Sequence, residues 1–211
     1  MKRIALCGAG GFARETLFLL EQLDMKRHVS ALYESEAIWQ GRKVAGLSVL
    51  PLSQFDSNKE SMVIAIGSPT VRRAVYSALP SDTNFPTLVH PSVNISQTVH
   101  IGPGSIICAG AVLTCDIEIG SQVHLDRCVT VGHDCVLGDF VTIAPGSVIS
   151  GNCLIGHGAY LGASSCIREK LLVGNGATVG MGAIVVKSVP DSEIQVGNPA
   201  RKLASSMVNH R

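Results

Sequence analysis

From Val89 onward the chain places an aliphatic residue at every sixth position. Val89, Ile95, Ile101, Ile107, Leu113, Ile119, Leu125, Val131, Leu137, Ile143, Ile149, Ile155, Leu161, Ile167, Val173, Val179 and Val185 make 17 consecutive positions, all Ile, Leu or Val, with no insertion. The residue after the aliphatic is often glycine, as at Gly102, Gly120, Gly132 and Gly156, and the fourth residue after it is commonly small, as at Ser105, Ala111, Cys135 and Ala159. A period of six matches neither a helix nor a simple alternating strand. It predicts a short strand plus a turn, three of which close a triangular coil, so that coils stack into a parallel β-helix. Each aliphatic points inward and stacks on its equivalent one coil away. The small residue fits the corner, and glycine supplies the backbone freedom of the turn. Between five and six coils, at about 4.8 Å each, give a prism roughly 27 Å long.

The first 85 residues carry a different pattern. Arg3–Cys7 predicts a strand, 12–23 an amphipathic helix with Ala13, Thr16, Leu17, Leu20 and Leu23 on one face, and 29–33 a second strand with Glu34 at its end. Ser61–Ile66 predicts a third strand ending at Gly67-Ser68-Pro69, followed by a helix over 70–79. The predicted organisation is therefore α/β followed by all-β: a Rossmann-like domain over 1–85 and a β-helix domain over 86–211.

Composition narrows the function. Aromatic residues are only 4% against 46% hydrophobic, which suits a narrow prism interior. A net charge of +1 argues against a nucleic-acid binder. Neither a membrane-length apolar run nor a signal-peptide pattern is present, so a cytoplasmic protein with reduced thiols is expected. Seven cysteines without a CxxC pair, and no histidine pair of H-x4-H type, predict no metal site.

The glycine run Gly8-Ala9-Gly10-Gly11-Phe12-Ala13 fits the dinucleotide fingerprint and lies between a strand and a helix. Dinucleotide folds use two mononucleotide halves, and only one half fits before the hexads begin. The run therefore predicts a mononucleotide site, with phosphates at the helix N-terminus and Glu34 on a ribose hydroxyl. A tight strand–helix turn explains the glycines equally well on their own. The second glycine turn, at Gly67, favours the ligand.

The hexads, the tail Val189-Pro190-Asp191 … Val196-Gly197-Asn198-Pro199-Ala200, the segments Ile64-Ala65-Ile66-Gly67 and Gly132-His133-Asp134, and the glycine run together resemble the hexapeptide-repeat sugar acyltransferases. That family includes UDP-4-amino-sugar N-acetyltransferases and sialic acid O-acetyltransferases, and the resemblance covers nearly the whole chain. It implies a left-handed coil, acetyl-CoA as acyl donor, a UDP-linked amino sugar as acceptor and a homotrimer with sites between subunits. O-acetylation of sialic acid or another glycan sugar is the alternative, and a non-enzymatic trimeric scaffold is a third. The N-acetyltransferase members often carry histidine where this chain has Phe12.

Acetyl transfer from a thioester needs a base for the proton of the attacking group and donors for the developing oxyanion. The resemblance puts the base at His133 with Asp134 as its orienter, and coil arithmetic stacks Gly151 on His133 as a candidate amide donor. It also implies acetyl-CoA contacts at Thr142, Ala163 and Met181, and nucleotide-sugar contacts at Gly8, Gly10, Gly11, Phe12, Glu34 and Gly67. His124 is expected to be a solvated surface residue, and Asp126 and Arg127 are placed near the acceptor.

Overall fold

The computed structural model describes residues 2–204. Met1 and residues 205–211, including His210 and the end of the expected second domain, lie outside the described residues. The front of the chain folds as β1 (Arg3–Cys7), α1 (Gly11–Gln22), β2 (Val29–Glu34), β3 (Lys43–Val44), β4 (Leu47–Pro51), β5 (Glu60–Ile64) and α2 (Pro69–Ala78). The sheet order is β3-β4-β2-β1-β5, parallel except for β3. The sequence reading finds β1, β2 and β5 but not β3 and β4. The latter is a partly exposed strand that ends in proline, so its hydrophobic alternation is weak. It nevertheless docks parallel to β2.

Each of the 17 hexads becomes a two-residue strand, and in nearly all of them the aliphatic is the buried member. The strands stack into three faces. The front face holds Leu88–Val89, Ile106–Ile107, His124–Leu125, Thr142–Ile143, Tyr160–Leu161 and Thr178–Val179. The second runs from Asn94–Ile95 through Thr130–Val131 and Val148–Ile149 to Ile184–Val185. The third runs from His100–Ile101 through Val136–Leu137 and Leu154–Ile155 to Leu172–Val173. All neighbours are parallel and one coil apart. The aliphatics and the small fourth residues, Ser105, Ala111, Cys135 and Ala159 among them, form the dry interior. A small Rossmann-like domain thus precedes a left-handed parallel β-helix. Among the described residues no helix is long and apolar enough to cross a membrane.

The role of the glycine after each aliphatic differs from the expectation. Gly132 does not adopt a left-handed conformation. A Cβ there would lie 2.7 Å from the Gly151 backbone nitrogen, so glycine is required because the next coil approaches too closely. The left-handed conformation falls two residues later, at positions such as Asp134 (φ 57°).

The front domain sits on the front face. Leu88 and Ile106 enter the same apolar core as Ile4, Leu6, Ala13 and Leu17. At one border Arg127 pairs with Glu15 of α1 at 2.6 Å, and at the other the Arg73 guanidinium lies 5.4 Å over the Phe140 ring. Arg72 fastens the middle. Fully buried, it donates to the carbonyls of Ile66 and Gly67 on its own side and to those of Gln122 and Phe140 and the hydroxyl of Thr142 on the prism. Burial lowers its pKa to about 9, yet the carbonyl cage keeps it a cation at neutral pH.

Candidate functional site

His133 lies on the edge between the second and third faces, in the turn from Thr130–Val131 to Val136–Leu137. Its backbone is pinned from both sides: Asn152 N–H donates to its carbonyl at 2.8 Å, and Asp134 N–H donates to the Cys115 carbonyl at 3.2 Å. Left-handed backbone at Asp134, which Asp tolerates better than most residues, brings its carboxylate back to the imidazole. Nδ1 of His133 donates to Asp134 Oδ2 at 2.6 Å. That bond fixes the tautomer and leaves the Nε2 lone pair as the proton acceptor. Both side chains are exposed, so the pair faces outward from the prism.

Gly151 stacks above His133, and the imidazole occupies the space of its missing side chain. Ala163 and Met181 stand on the other border of the second face, the edge shared with the front face, where Met181 is 82% exposed. A single prism does not bring them to His133.

Thr142 is a correction. The resemblance implies an acetyl-CoA contact there, but the residue lies on the front face and the front domain covers it. Its hydroxyl donates to the Gly67 carbonyl at 2.8 Å and accepts from Arg72 at 2.9 Å, so it belongs to the interdomain seam and lines no open groove. His124, one coil earlier, is likewise buried and not solvated. Arg72 and His124 are the seam residues that sequence reasoning missed as a pair. The arginine in a short amphipathic helix gave no sign of its burial.

In the front domain the glycines sort by physical demand. Gly8 has φ of 116°, and a Cβ there would lie 2.7 Å from the Ala65 carbonyl oxygen, so the fold alone requires it. Gly10, Gly11 and Gly67 face open space, and a Cβ at any of them would meet nothing within 4 Å. The N-terminus of α1 has no side-chain cap and no acidic residue in its first turn. Its leading N–H groups and partial positive charge are thus left for an anion. Phe12, in the first turn, stacks on His124 with ring centroids 5.0 Å apart.

Glu34 stands where the sequence reading puts it, at the end of β2. Its carboxylate is buried there and held bidentately by Arg42 at 2.7 and 2.8 Å, a partner the sequence reading did not foresee. Arg127, expected beside the acceptor, is tied to α1 through Glu15. Among the described residues no group of three or more His, Cys, Asp or Glu side chains converges as metal ligands would.

Comparison with known proteins agrees with this architecture. Residues 3–79 match the PglD N-terminal domain, and residues 116–151 match the bacterial transferase hexapeptide repeat. The chain is 33% identical over 157 residues to GDP-perosamine N-acetyltransferase of Escherichia coli O157:H7, covering 72% of this chain and 71% of that protein. It superposes with a TM-score of 0.86 and 31% identity on the acetyltransferase domain of PglB from Neisseria gonorrhoeae FA1090 in complex with acetyl coenzyme A, covering 96% and 99% of the two chains. A histidine-to-asparagine variant of perosamine N-acetyltransferase from Caulobacter crescentus, in complex with CoA and GDP-perosamine, superposes with a TM-score of 0.89 at 25% identity, covering 97% and 98%. With its Rossmann-like front domain, its outward His–Asp pair and this extent of likeness, the chain belongs to the acetyl-CoA-dependent, hexapeptide-repeat sugar N-acetyltransferases.

Proposed function

We propose that the protein transfers the acetyl group of acetyl-CoA to the amine of a nucleotide-linked amino sugar, at sites shared between the subunits of a homotrimer. The observation that carries this reading is the placement of parts. The nucleotide-type domain and the Ala163–Met181 edge lie at the front face, whereas His133 lies on the edge away from it. In this reading the parts of the site stand apart within one chain. A neighbour in a closed ring supplies the missing edge. The third face offers an apolar stripe for that neighbour, Val136, Leu154 and Leu172, which are 44%, 51% and 46% exposed.

In this reading the α1 N-terminus, with Gly10, Gly11 and Gly67 leaving room, receives the diphosphate of the nucleotide-sugar. The sugar amine then faces His133 of the adjacent subunit. The amine nitrogen attacks the thioester carbonyl carbon, and a tetrahedral oxyanion forms. The Gly151 amide is the proposed donor to that oxyanion. Nε2 of His133 takes the ammonium proton, Asp134 stabilises the imidazolium, and the C–S bond breaks to release CoA thiolate. No covalent acyl-enzyme is needed.

The acceptor nucleotide is proposed as UDP on the resemblance to the UDP-4-amino-sugar enzymes, with GDP as the competitor because the Escherichia coli relative is named for GDP-perosamine and the Caulobacter crescentus relative is in complex with it. Dependence on acetyl-CoA makes a cytoplasmic reaction part of the same proposal. A CoA thiol-release assay with UDP- and GDP-linked 4-amino sugars and with sialic acid tests it. Turnover with an amino nucleotide-sugar, giving an N-acetyl product by mass spectrometry, is expected. Turnover with sialic acid alone would replace N- by O-acetylation, and no thiol release with any acceptor would contradict an acetyltransferase.

A further inference from the structure

The outward side chains of the front face form a column under the front domain: Leu88, Ile106, His124 and Thr142. Leu88 and Ile106 pack into the apolar core of that domain. Thr142 is hydrogen-bonded to Gly67 and Arg72. His124 differs from all three. It is 2% exposed, and neither Nδ1 nor Nε2 makes a well-formed hydrogen bond among the described residues, the contact to the Ile64 backbone falling short of hydrogen-bond geometry. An aliphatic residue would fill this rung as Leu88 and Ile106 fill theirs, so packing does not call for an imidazole. A buried polar group without a partner costs stability and needs another explanation.

Its surroundings supply one. His124 lies against Ile64, the last residue of β5, and against the ring of Phe12, in the first turn of α1. This is the zone beyond the carboxyl ends of β1 and β5, where the chain leaves neighbouring strands in opposite directions and open α/β sheets bind their ligands. Gly10, Gly11 and Gly67, which border the zone, leave open space. Burial and the nearby Arg72 cation keep the imidazole neutral. A neutral ring has one donor and one acceptor, which matches a hydroxyl group better than the acceptor-only oxygens of a phosphate.

We infer that His124 is a specificity-determining residue of the nucleotide-sugar site, where its ring hydrogen-bonds a hydroxyl of the bound nucleotide-sugar once the Phe12 side chain that covers it turns aside. This rests on the reading that the nucleotide-sugar binds in the front domain.

The test uses the full-length protein and whichever UDP- or GDP-linked 4-amino sugar turns over faster. His124→Leu is expected to keep or raise Tm, to raise the KM for the nucleotide-sugar roughly 10- to 100-fold, and to leave the Kd of acetyl-CoA within about twofold. The ring-nitrogen NMR signals absent from the His124→Leu spectrum are expected to shift when wild-type protein is saturated with nucleotide-sugar, and not with acetyl-CoA. An unchanged KM, or His124 signals unmoved by saturating nucleotide-sugar, would overturn the inference whatever the stability of the variant. Gly11→Val separates the two readings. If it raises the KM and His124→Leu does not, the front-domain site stands and His124 is structural. If neither variant does, the front-domain site itself is wrong.

Discussion

The imidazole of His133 lies where Gly151 has no side chain: a Cβ built on Gly151 would stand 2.6 Å from Nε2 and 2.7 Å from Cε1. The two residues sit one coil apart on the same edge, and the backbone around them is tied by the Asn152–His133 hydrogen bond. Gly151→Ala therefore pushes on a side chain that can rotate away, not on the backbone. The variant is expected to fold with a wild-type Tm and to lose roughly 100-fold in kcat, because a displaced base misses its near-attack geometry. Thermal melting together with steady-state kinetics checks this. A wild-type kcat would mean that the ring's position over Gly151 is irrelevant to turnover.

His133 and Asp134 divide the work of the base. His133→Ala is expected to lower kcat by roughly 100- to 10,000-fold while acetyl-CoA binding and assembly persist, since the exposed ring takes no part in the aliphatic stack. Asp134→Asn is expected to cost less. It keeps the polar contact to Nδ1 but loses the negative charge that stabilises the imidazolium. Calorimetry with acetyl-CoA alongside kinetics distinguishes lost chemistry from lost binding. Equal turnover in His133→Ala and wild type would remove the residue from the mechanism.

Thr142 tests the seam. Thr142→Val removes the hydroxyl that links Gly67 and Arg72, so a loss of about 1 kcal/mol in unfolding free energy is expected, with an unchanged Kd for acetyl-CoA. Denaturant unfolding and calorimetry read the two quantities separately. Weakened acetyl-CoA binding at unchanged stability would restore Thr142 to the donor site.

His124 gives the pH dependence of stability a definite sign. Burial, reinforced by the Arg72 charge, holds its folded-state pKa well below 6.5. Above that value both states leave the ring neutral. As the pH falls below about 6.5 the unfolded chain takes up a proton that the folded protein refuses, and stability drops by up to about 1.4 kcal/mol per pH unit. Wild-type Tm is therefore expected to fall more than that of His124→Leu on acidification from about pH 7.5 to about pH 5.5. Parallel scanning calorimetry measures the difference. Identical acid sensitivity would show that His124 protonates as easily in the folded protein as in the unfolded chain.

The prism was legible in the sequence because its period is local. Each coil packs only on its neighbours, so the spacing of Val131, Ile149 and Ile167 already states which residues stack. The same arithmetic placed Gly151 over His133. It did not reveal what covers a face. The spacing stacks Thr142 on His124, yet their burial depends on a front domain distant in the chain and on Arg72, which binds carbonyls that carry no sequence signature. The partner of Glu34 was hidden for a related reason. Its position at the end of β2 is readable from the pattern, but Arg42 closing on it is a matter of how the intervening loop folds. The glycines of the fingerprint needed the structure to be told apart, since only Gly8 is demanded by its own backbone.

The central claim is that nucleotide-sugar and base come from different chains, and mixed oligomers test it most directly. His133→Ala protein keeps an intact front domain, and Gly11→Val protein keeps an intact base, with open space at Gly11 making its replacement benign to the fold. Each alone is expected to be nearly inactive. Co-assembled in equal amounts, they are expected to recover about a quarter of the wild-type rate per chain, the random share of interfaces that join an intact front domain to an intact His133. Mixed assemblies, verified by native mass spectrometry, that stay as inactive as their parents would show that each site lies within one chain.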